Sequence, residues 1–181
     1  EPTRLWRFHK SAGSMTTNRD PEGRKTVFDF FPTDMPRVMT VGRLDYNSEG
    51  LLLLTNDGDL ARRLEHPDTG WRRRYGVRVH GRVDEDKLAG LAQGATVDGV
   101  RYGAIEATLE REQASNAWLS VTLSEGKNRE VRRICEHLEL QVTRLIRISY
   151  GPFQLGNLER DAVDEVPRKA LAEQLGEGDQ R

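Results

Sequence analysis

Short apolar runs separated by polar turns make up most of this chain. Runs that alternate apolar and polar residues predict half-buried strands, and an unbroken apolar run is typical of a strand covered on both faces. Strands are predicted over residues 5–8, 38–41, 51–54, 74–80, 104–109, 118–123 and 142–150. The sequence Val97-Asp98-Gly99-Val100 predicts a tight hairpin turn.

Apolar residues at helical spacing predict four helices, over residues 60–64, 84–94, 128–138 and 168–175. Asp57 or Asp59 is expected to cap the first of them. The second is expected to direct Leu88, Leu91 and Ala92 toward the core. Together the two kinds of element predict an α+β fold with a largely antiparallel sheet.

Composition limits the class of protein. With 181 residues the chain can bury one good core, in one or two lobes. No apolar run has the length of a membrane span, so we expect a cytoplasmic protein. Cys135 is the sole cysteine and the four histidines lack metal-ligand spacing, so we expect no internal disulfide and no bound metal.

Net charge alone does not favour a nucleic-acid partner. The formal net charge is −1, whereas Lys and Arg supply most non-specific affinity for phosphate. Basic side chains nevertheless exceed acidic ones over residues 1–81 and 125–150. Those two segments also carry the motifs described next.

The most informative motif is a polar loop between two apolar runs, at residues 41–58. It delivers the carboxylate of Asp45 to the end of a buried strand rather than to open solvent. A sheltered carboxylate needs hydrogen bonds or a cation. Arg43 lies too close in sequence for a relaxed facing pair, so we expect a partner from elsewhere in the chain.

These residues resemble a known family. The segments 42–45 (Gly-Arg-Leu-Asp) and 48–58 (Ser-Glu-Gly-Leu-Leu-Leu-Leu-Thr-Asn-Asp-Gly) resemble the central motif of the pseudouridine synthases, in the branch that modifies ribosomal RNA and is represented by RsuA and RluB. Four further segments resemble the other motifs of that family, in the same order: residues 8–13, 75–79, 125–133 and 144–156. The resemblance covers the chain from about residue 4 to residue 167.

The resemblance implies the pseudouridine synthase fold, a largely antiparallel mixed sheet flanked by helices and loops. It implies a catalytic domain over residues 1–175 that needs no cofactor, and we expect a disordered tail at residues 176–181. Members of this branch usually carry an RNA-binding S4 domain ahead of the catalytic one, and this chain begins at the first catalytic strand. The expected partner is ribosomal RNA, most specifically 23S rRNA of the large subunit, bound by a monomeric protein.

The family also implies roles for particular side chains. Converting uridine to pseudouridine breaks the bond from N1 to the sugar and rejoins the base through C5, which calls for an anion beside the ribose and base. The resemblance makes Asp45 that anion and Arg132 the cation that lowers its pKa and fixes its orientation. Tyr75 would stack on the flipped uracil or transfer a proton, and Leu145 would close the other side of the base.

A stacked uridine must be swung out of the RNA before it can react, so basic side chains are expected to hold the backbone on either side. The candidates are Lys10, Arg19, Arg24, Arg43, Lys127 and Arg129. The triplet at residues 72–74 is the densest basic cluster and is expected at the rim of the site.

Two other functions fit parts of the same pattern. An RNA-binding or ribosome-assembly factor could keep the fold and lack the chemistry, although the presence of Asp45, Tyr75 and Arg132 disfavours it. Glycoside hydrolysis by Asp45 with Glu49 or Asp57 would satisfy the need for two carboxylates, which must also stand at a defined separation.

Overall fold

A computed structural model describes residues 1–17 and 20–175 of the chain. The strands in this part are β1 (Leu5–Lys10), β2 (Met39–Val41), β3 (Glu49–Thr55), β4 (Arg73–His80), β5 (Ala95–Val97), β6 (Val100–Tyr102), β7 (Ile105–Gln113), β8 (Asn116–Leu123), β9 (Gln141–Tyr150), β10 (Phe153–Gln154) and β11 (Val163–Glu165). The helices are α1 (Gly58–Glu65), α2 (Glu85–Gly90), α3 (Glu130–His137) and α4 (Arg168–Leu175). The chain forms two compact units, one from Glu1 to Thr69 together with the segment from Pro152 onward, and one from Gly70 to Gly151.

The first unit is built on β3. This strand pairs antiparallel with β1 on one side and with β2 on the other, and β11 pairs antiparallel with the far edge of β1. All seven residues of β3 are buried, as predicted for a strand covered on both faces. Full burial of each leucine side chain contributes roughly 1.5–3 kcal/mol, so this strand anchors the unit and fixes where the loop before it begins and ends.

Helix α1 follows β3 directly. The Asp57 carboxylate accepts hydrogen bonds from the backbone N–H groups of Asp59 (2.9 Å) and Leu60 (3.3 Å), so Asp57 is the capping residue of the two predicted. A hydrogen bond from the Thr3 hydroxyl, followed by those backbone donors, lowers the pKa of Asp57. Helix α4 forms over the predicted residues and buries Leu171.

The second unit is a four-stranded antiparallel sheet in the order β9-β4-β8-β7. Helices α2 and α3 pack on one face of it, and the core between them includes Val77, Leu88, Leu119, Ile134 and Leu145. Strands β5 and β6 form the predicted hairpin, and the positive φ angles of Asp98 (49°) and Gly99 (80°) match its tight turn.

Two predicted helices of this unit are shorter in the structure. Helix α2 ends at Gly90 and continues as a tighter 3-10 turn, so the predicted span of 84–94 and the inward position of Ala92 are wrong. Glycine weakens the helix at that point, and three residues per turn align Leu91 with Leu88 and rotate Ala92 outward. Helix α3 begins at Glu130 rather than residue 128, because Arg129 has a left-handed conformation with φ of 52°.

The α+β class with a largely antiparallel sheet is therefore confirmed. The predicted tail at residues 176–181 lies outside the described residues. In the described part, no helix has the length and apolar character needed to cross a membrane.

Candidate active site

The loop that carries Asp45 connects β2 to β3 in the first unit. Gly42 leaves β2 with φ of 70°, and its N–H donates to the Glu65 carboxylate over 2.6 Å. Leu44 is buried and anchors the loop, and the Ser48 N–H donates to the Asp45 carbonyl over 2.9 Å. This turn presents a half-buried Asp45 side chain just ahead of β3.

Lys10, the last residue of β1, stabilises the same loop. Its side chain is buried, and Nζ donates to the carbonyl oxygens of Ser11 (3.0 Å), Tyr46 (3.0 Å) and Ser48 (2.7 Å). Burial lowers the pKa of Lys10 to about 8, against opposing contributions from Glu49 and Asp45. The expected contact of Lys10 with RNA does not fit this position, because the side chain is buried and its ammonium group is hydrogen-bonded to backbone carbonyls.

The first prediction concerns this lysine. Lys10→Met keeps the aliphatic stem and removes one hydrogen-bond donor from each of three carbonyl groups, so we expect the free energy of unfolding at pH 7 to fall by about 2 kcal/mol. Because the pKa of Lys10 is about 8 in the folded chain, the unfolded chain binds more protons between about pH 8 and pH 10.5. The parent protein therefore gains stability from this group as pH rises through that window.

Urea unfolding of both proteins at pH 7, 8 and 10 measures the difference. The free energy of unfolding of the parent should exceed that of Lys10→Met by a larger amount at pH 10 than at pH 8. Lys169→Met, at an exposed position on α4, is the control and should follow the parent at every pH. A difference in unfolding free energy that stays constant or decreases over this pH range would contradict the lowered pKa of a buried Lys10.

In the second unit, Tyr75 and Leu145 lie on the face of the sheet that carries α2 and α3. Tyr75 on β4 is half-buried against the core and pairs in register with Arg147 on β9, while Leu145 pairs with Val77. Tyr75 and Leu145 are therefore diagonal neighbours on one face, close enough for side chains of their size to touch a common ligand.

Arg132 is half-buried on α3, and Arg129 is exposed just before that helix. Both line an open groove of about 480 Å³ at the junction of α3 and β9, with Glu136, Glu139 and residues 140–142. The amphipathic pattern of the helix accounts for this position, since Val131, Ile134 and Cys135 are buried. The pairing of Arg132 with Asp45 stays a prediction.

The turn before α3 is closed by Glu130. Its backbone N–H donates to the Lys127 carbonyl (3.1 Å), and its carboxylate accepts from the Lys127 N–H (3.2 Å). Burial, with the Glu125 carboxylate nearby, raises the pKa of Glu130 to about 7. The Lys127 ammonium group donates to the Arg101 carbonyl over 2.5 Å and remains exposed. This closed turn holds Arg129 in its left-handed conformation.

The remaining basic candidates are placed as follows. Arg43 is exposed two residues before Asp45, and Arg24 is paired with Asp20 and Glu22. Arg19 lies outside the described residues. In the basic triplet, Arg72 pairs with Glu106, Arg73 donates to the carbonyl of Ser124 and to the hydroxyl of Tyr150, and Arg74 is exposed.

One further residue of the second unit lies within a motif segment, and the sequence alone predicts no role for it. Arg147 is buried beside Tyr75, and its guanidinium carbon lies 5.0 Å from the centre of the Tyr150 ring. Alternation along β9 places Leu145, Arg147 and Ser149 on one face, so a charge at a core position was the available signal. Among the described residues, no group of three or more His, Cys, Asp or Glu side chains is arranged to hold a metal ion.

Comparisons with known proteins point to the same family as the motifs do. A family profile described as RNA pseudouridylate synthase matches residues 4–137. The chain is 48% identical over 169 residues to an RNA pseudouridine synthase of Rickettsia bellii (strain RML369-C), covering 93% of this chain and 73% of that protein. It is 43% identical over 169 residues to ribosomal large subunit pseudouridine synthase B of Yersinia pestis, covering 92% of this chain and 53% of that protein.

A solved structure is similar as well. The crystal structure of a pseudouridylate synthase superposes with a TM-score of 0.83 at 27% identity, covering 97% of this chain and 74% of that one.

Proposed function

This chain belongs to the RNA pseudouridylate synthase family, and from that premise we propose that it isomerises a specific uridine of large-subunit ribosomal RNA to pseudouridine. The similarity to large-subunit synthase B of Yersinia pestis is the observation that carries the choice of substrate, since it extends over 92% of this chain. The chain spans about half of that relative, at 53%. Acting on ribosomal RNA would place the protein in the cytoplasm.

Asp45 is proposed as the anion that starts the reaction. The bond from N1 to the sugar breaks, the freed uracil turns, and C5 bonds to the sugar in place of N1. The hydrogen on C5 leaves as a proton and N1 takes up a proton, so the composition is unchanged and no oxidant is consumed. A half-buried carboxylate is suited to this role because the loop that carries it is fixed in place, with Lys10 donating to the Tyr46 and Ser48 carbonyls.

Arg132, Tyr75 and Leu145 are proposed to complete the site. The guanidinium of Arg132 keeps Asp45 ionised and oriented through a planar pair of donors. The ring of Tyr75 stacks on the extruded uracil, and Leu145 contacts the base from the neighbouring strand. The presence of all three counts against an RNA-binding factor that lacks chemistry.

The uridine must be flipped out of folded RNA, and the exposed cations near the site are proposed to hold the backbone. These are Arg43 on the Asp45 loop, with Lys127 and Arg129 on the turn before α3. Lys10 is removed from this set and positions the loop instead.

A turnover assay with defined RNA tests the proposed substrate. Release of tritium from C5-labelled uridine is followed in protein-free large-subunit and small-subunit ribosomal RNA and in assembling subunits of each kind. We expect release from the large-subunit samples and none from the small-subunit samples. Release from small-subunit RNA alone would contradict the proposal that large-subunit RNA is the substrate. No release from any ribosomal RNA would contradict the proposed enzymatic activity.

A further inference from the structure

A row of three arginines and one tryptophan crosses the sheet of the second unit. Arg144 on β9, Arg78 on β4, Trp118 on β8 and Arg111 on β7 occupy consecutive strands. Arg78 pairs in register with Arg144 on one side and with Trp118 on the other, and Trp118 pairs with Arg111. We name these four residues the arginine row. At strand spacing of about 4.8 Å, the row is roughly 14 Å long.

The arginine row lies on the face of this sheet that is opposite to α2 and α3. The strand neighbours of these residues, including Val77, Val79, Ala117 and Leu119, belong to the core under the helices, and successive side chains on a strand point to opposite faces. Gly76 lies next to the row on the same face of the sheet. A Cβ atom at this position would lie 3.7 Å from the Trp118 ring. Tyr75 and Leu145 face the helices, so the row and these two predicted site residues occupy different faces.

The guanidinium groups of the arginine row are held in place. The guanidinium carbons of Arg111 and Arg144 lie 5.3 and 5.7 Å from the centre of the Trp118 ring, a distance at which cation and ring attract. Arg78 Nε donates to the Thr143 hydroxyl over 2.9 Å, and that hydroxyl donates to the Arg78 carbonyl over 3.1 Å. Donors fixed in this way lose little conformational entropy when they bind a ligand.

Charge on this face points to an anionic partner. In the described part of the chain, neither Arg78 nor Arg111 forms an ion pair with a carboxylate. Arg74 is exposed on β4, four residues before Arg78 and on the same face, so it extends the positive charge along that strand. The nearby acids are Glu106, which pairs with Arg72, and Glu110, which accepts from Thr108.

We propose that the arginine row is an accessory binding surface for the phosphodiester backbone of RNA. The inference rests on the proposed function, because RNA is the polyanion that this enzyme must bind. Guanidinium groups match phosphate with paired donors, and a row of this length reaches more than one phosphate of a strand. The surface would bind RNA that flanks the modified uridine, and it would contribute affinity without entering the chemistry.

The test removes the positive charge of Arg78 and Arg111. Arg78→Gln combined with Arg111→Gln is expected to weaken binding of large-subunit RNA about tenfold at 100 mM salt. The slope of log affinity against log salt should become shallower by about 1 to 2, because each phosphate that the row no longer neutralises reduces the slope by about 1. Turnover at saturating RNA should stay within about twofold of the parent, which separates this surface from the catalytic residues.

Two controls sharpen the comparison. Arg78→Lys combined with Arg111→Lys keeps both charges and should retain most of the salt slope. Arg62→Gln combined with Arg160→Gln removes equal charge from exposed positions of the first unit and should leave affinity and slope unchanged. If the first pair unfolds the protein, the exposed Arg111→Gln alone carries the test, with a slope change of about 1.

If the Gln variants left RNA affinity and its salt dependence unchanged, the proposal that the arginine row binds RNA would be wrong. A fall in turnover at saturating RNA with affinity intact would also overturn it, since the row would then act on the chemistry. A parent protein that binds RNA but shows no turnover would instead contradict the proposed function, and this result is distinct because it appears before any variant is made.

Discussion

Asp45→Asn is expected to reduce turnover at least about 10³-fold while RNA binding stays within a few-fold of the parent. The substitution keeps the shape of the side chain and removes only the negative charge on which the reaction depends. The loop should keep its structure, because several contacts that hold it use backbone groups, including the Gly42 N–H and the Tyr46 and Ser48 carbonyls that accept from Lys10. Tritium release and filter binding on the same RNA separate the two effects.

Asp57→Asn is the matched control for this variant. Asp57 lies at the other end of β3 and caps α1, and asparagine caps helices about as well as aspartate. We therefore expect normal turnover, since Asp57 has no chemical role in the proposed reaction. Equal reductions in Asp45→Asn and Asp57→Asn would favour a mechanism with two carboxylates, and normal turnover in Asp45→Asn would remove this residue from the reaction.

Arg132→Lys is expected to lower the rate at saturating RNA about 10²-fold and to change affinity by less than about threefold. Lysine preserves the positive charge but lacks the planar fork that can bind both oxygens of a carboxylate. An interaction that matters for orienting the reacting anion should therefore appear in the rate rather than in binding. Single-turnover kinetics over a range of protein concentrations give both quantities from one experiment.

Arg133→Lys provides the comparison for Arg132→Lys. Arg133 follows on the same helix but is exposed, whereas Arg132 is half-buried, so we expect parental rates from Arg133→Lys. If Arg132→Lys reduced rate and affinity to the same extent, Arg132 would be a phosphate contact and the proposed pairing with Asp45 would be wrong.

Much of the fold could be predicted because local patterns and tertiary packing agree. The unbroken apolar run before Thr55 predicts a fully buried strand, and β3 is buried throughout. The hairpin at Asp98 and Gly99 forms because both residues tolerate positive φ. The predicted helix over residues 84–94 ends early at Gly90, where helix propensity is low and the tighter turn still buries Leu91.

The site was harder to predict, because the roles of its charged side chains depend on which face of a strand they occupy. The sequence predicts that Lys10 holds the RNA backbone. Along β1, however, it continues the buried face of Trp6 and Phe8, and the carbonyl groups that accept from its ammonium group make this burial favourable. Arg147 illustrates the same point, since a register shift in the pairing of β4 with β9 sets it opposite Tyr75.

The family motifs identify residue types in order along the chain, and they do not specify these contacts. The arginine row is an example, because its members are separated by as many as 66 positions in sequence, from Arg78 to Arg144. Only the strand order β9-β4-β8-β7 brings them side by side.

The most direct test of the central claim is a pseudouridine map of ribosomal RNA from cells that lack this protein. We predict that one large-subunit uridine loses its modification, that the parent protein restores it, and that Asp45→Asn does not. An unchanged map, or full restoration by Asp45→Asn, would contradict the account.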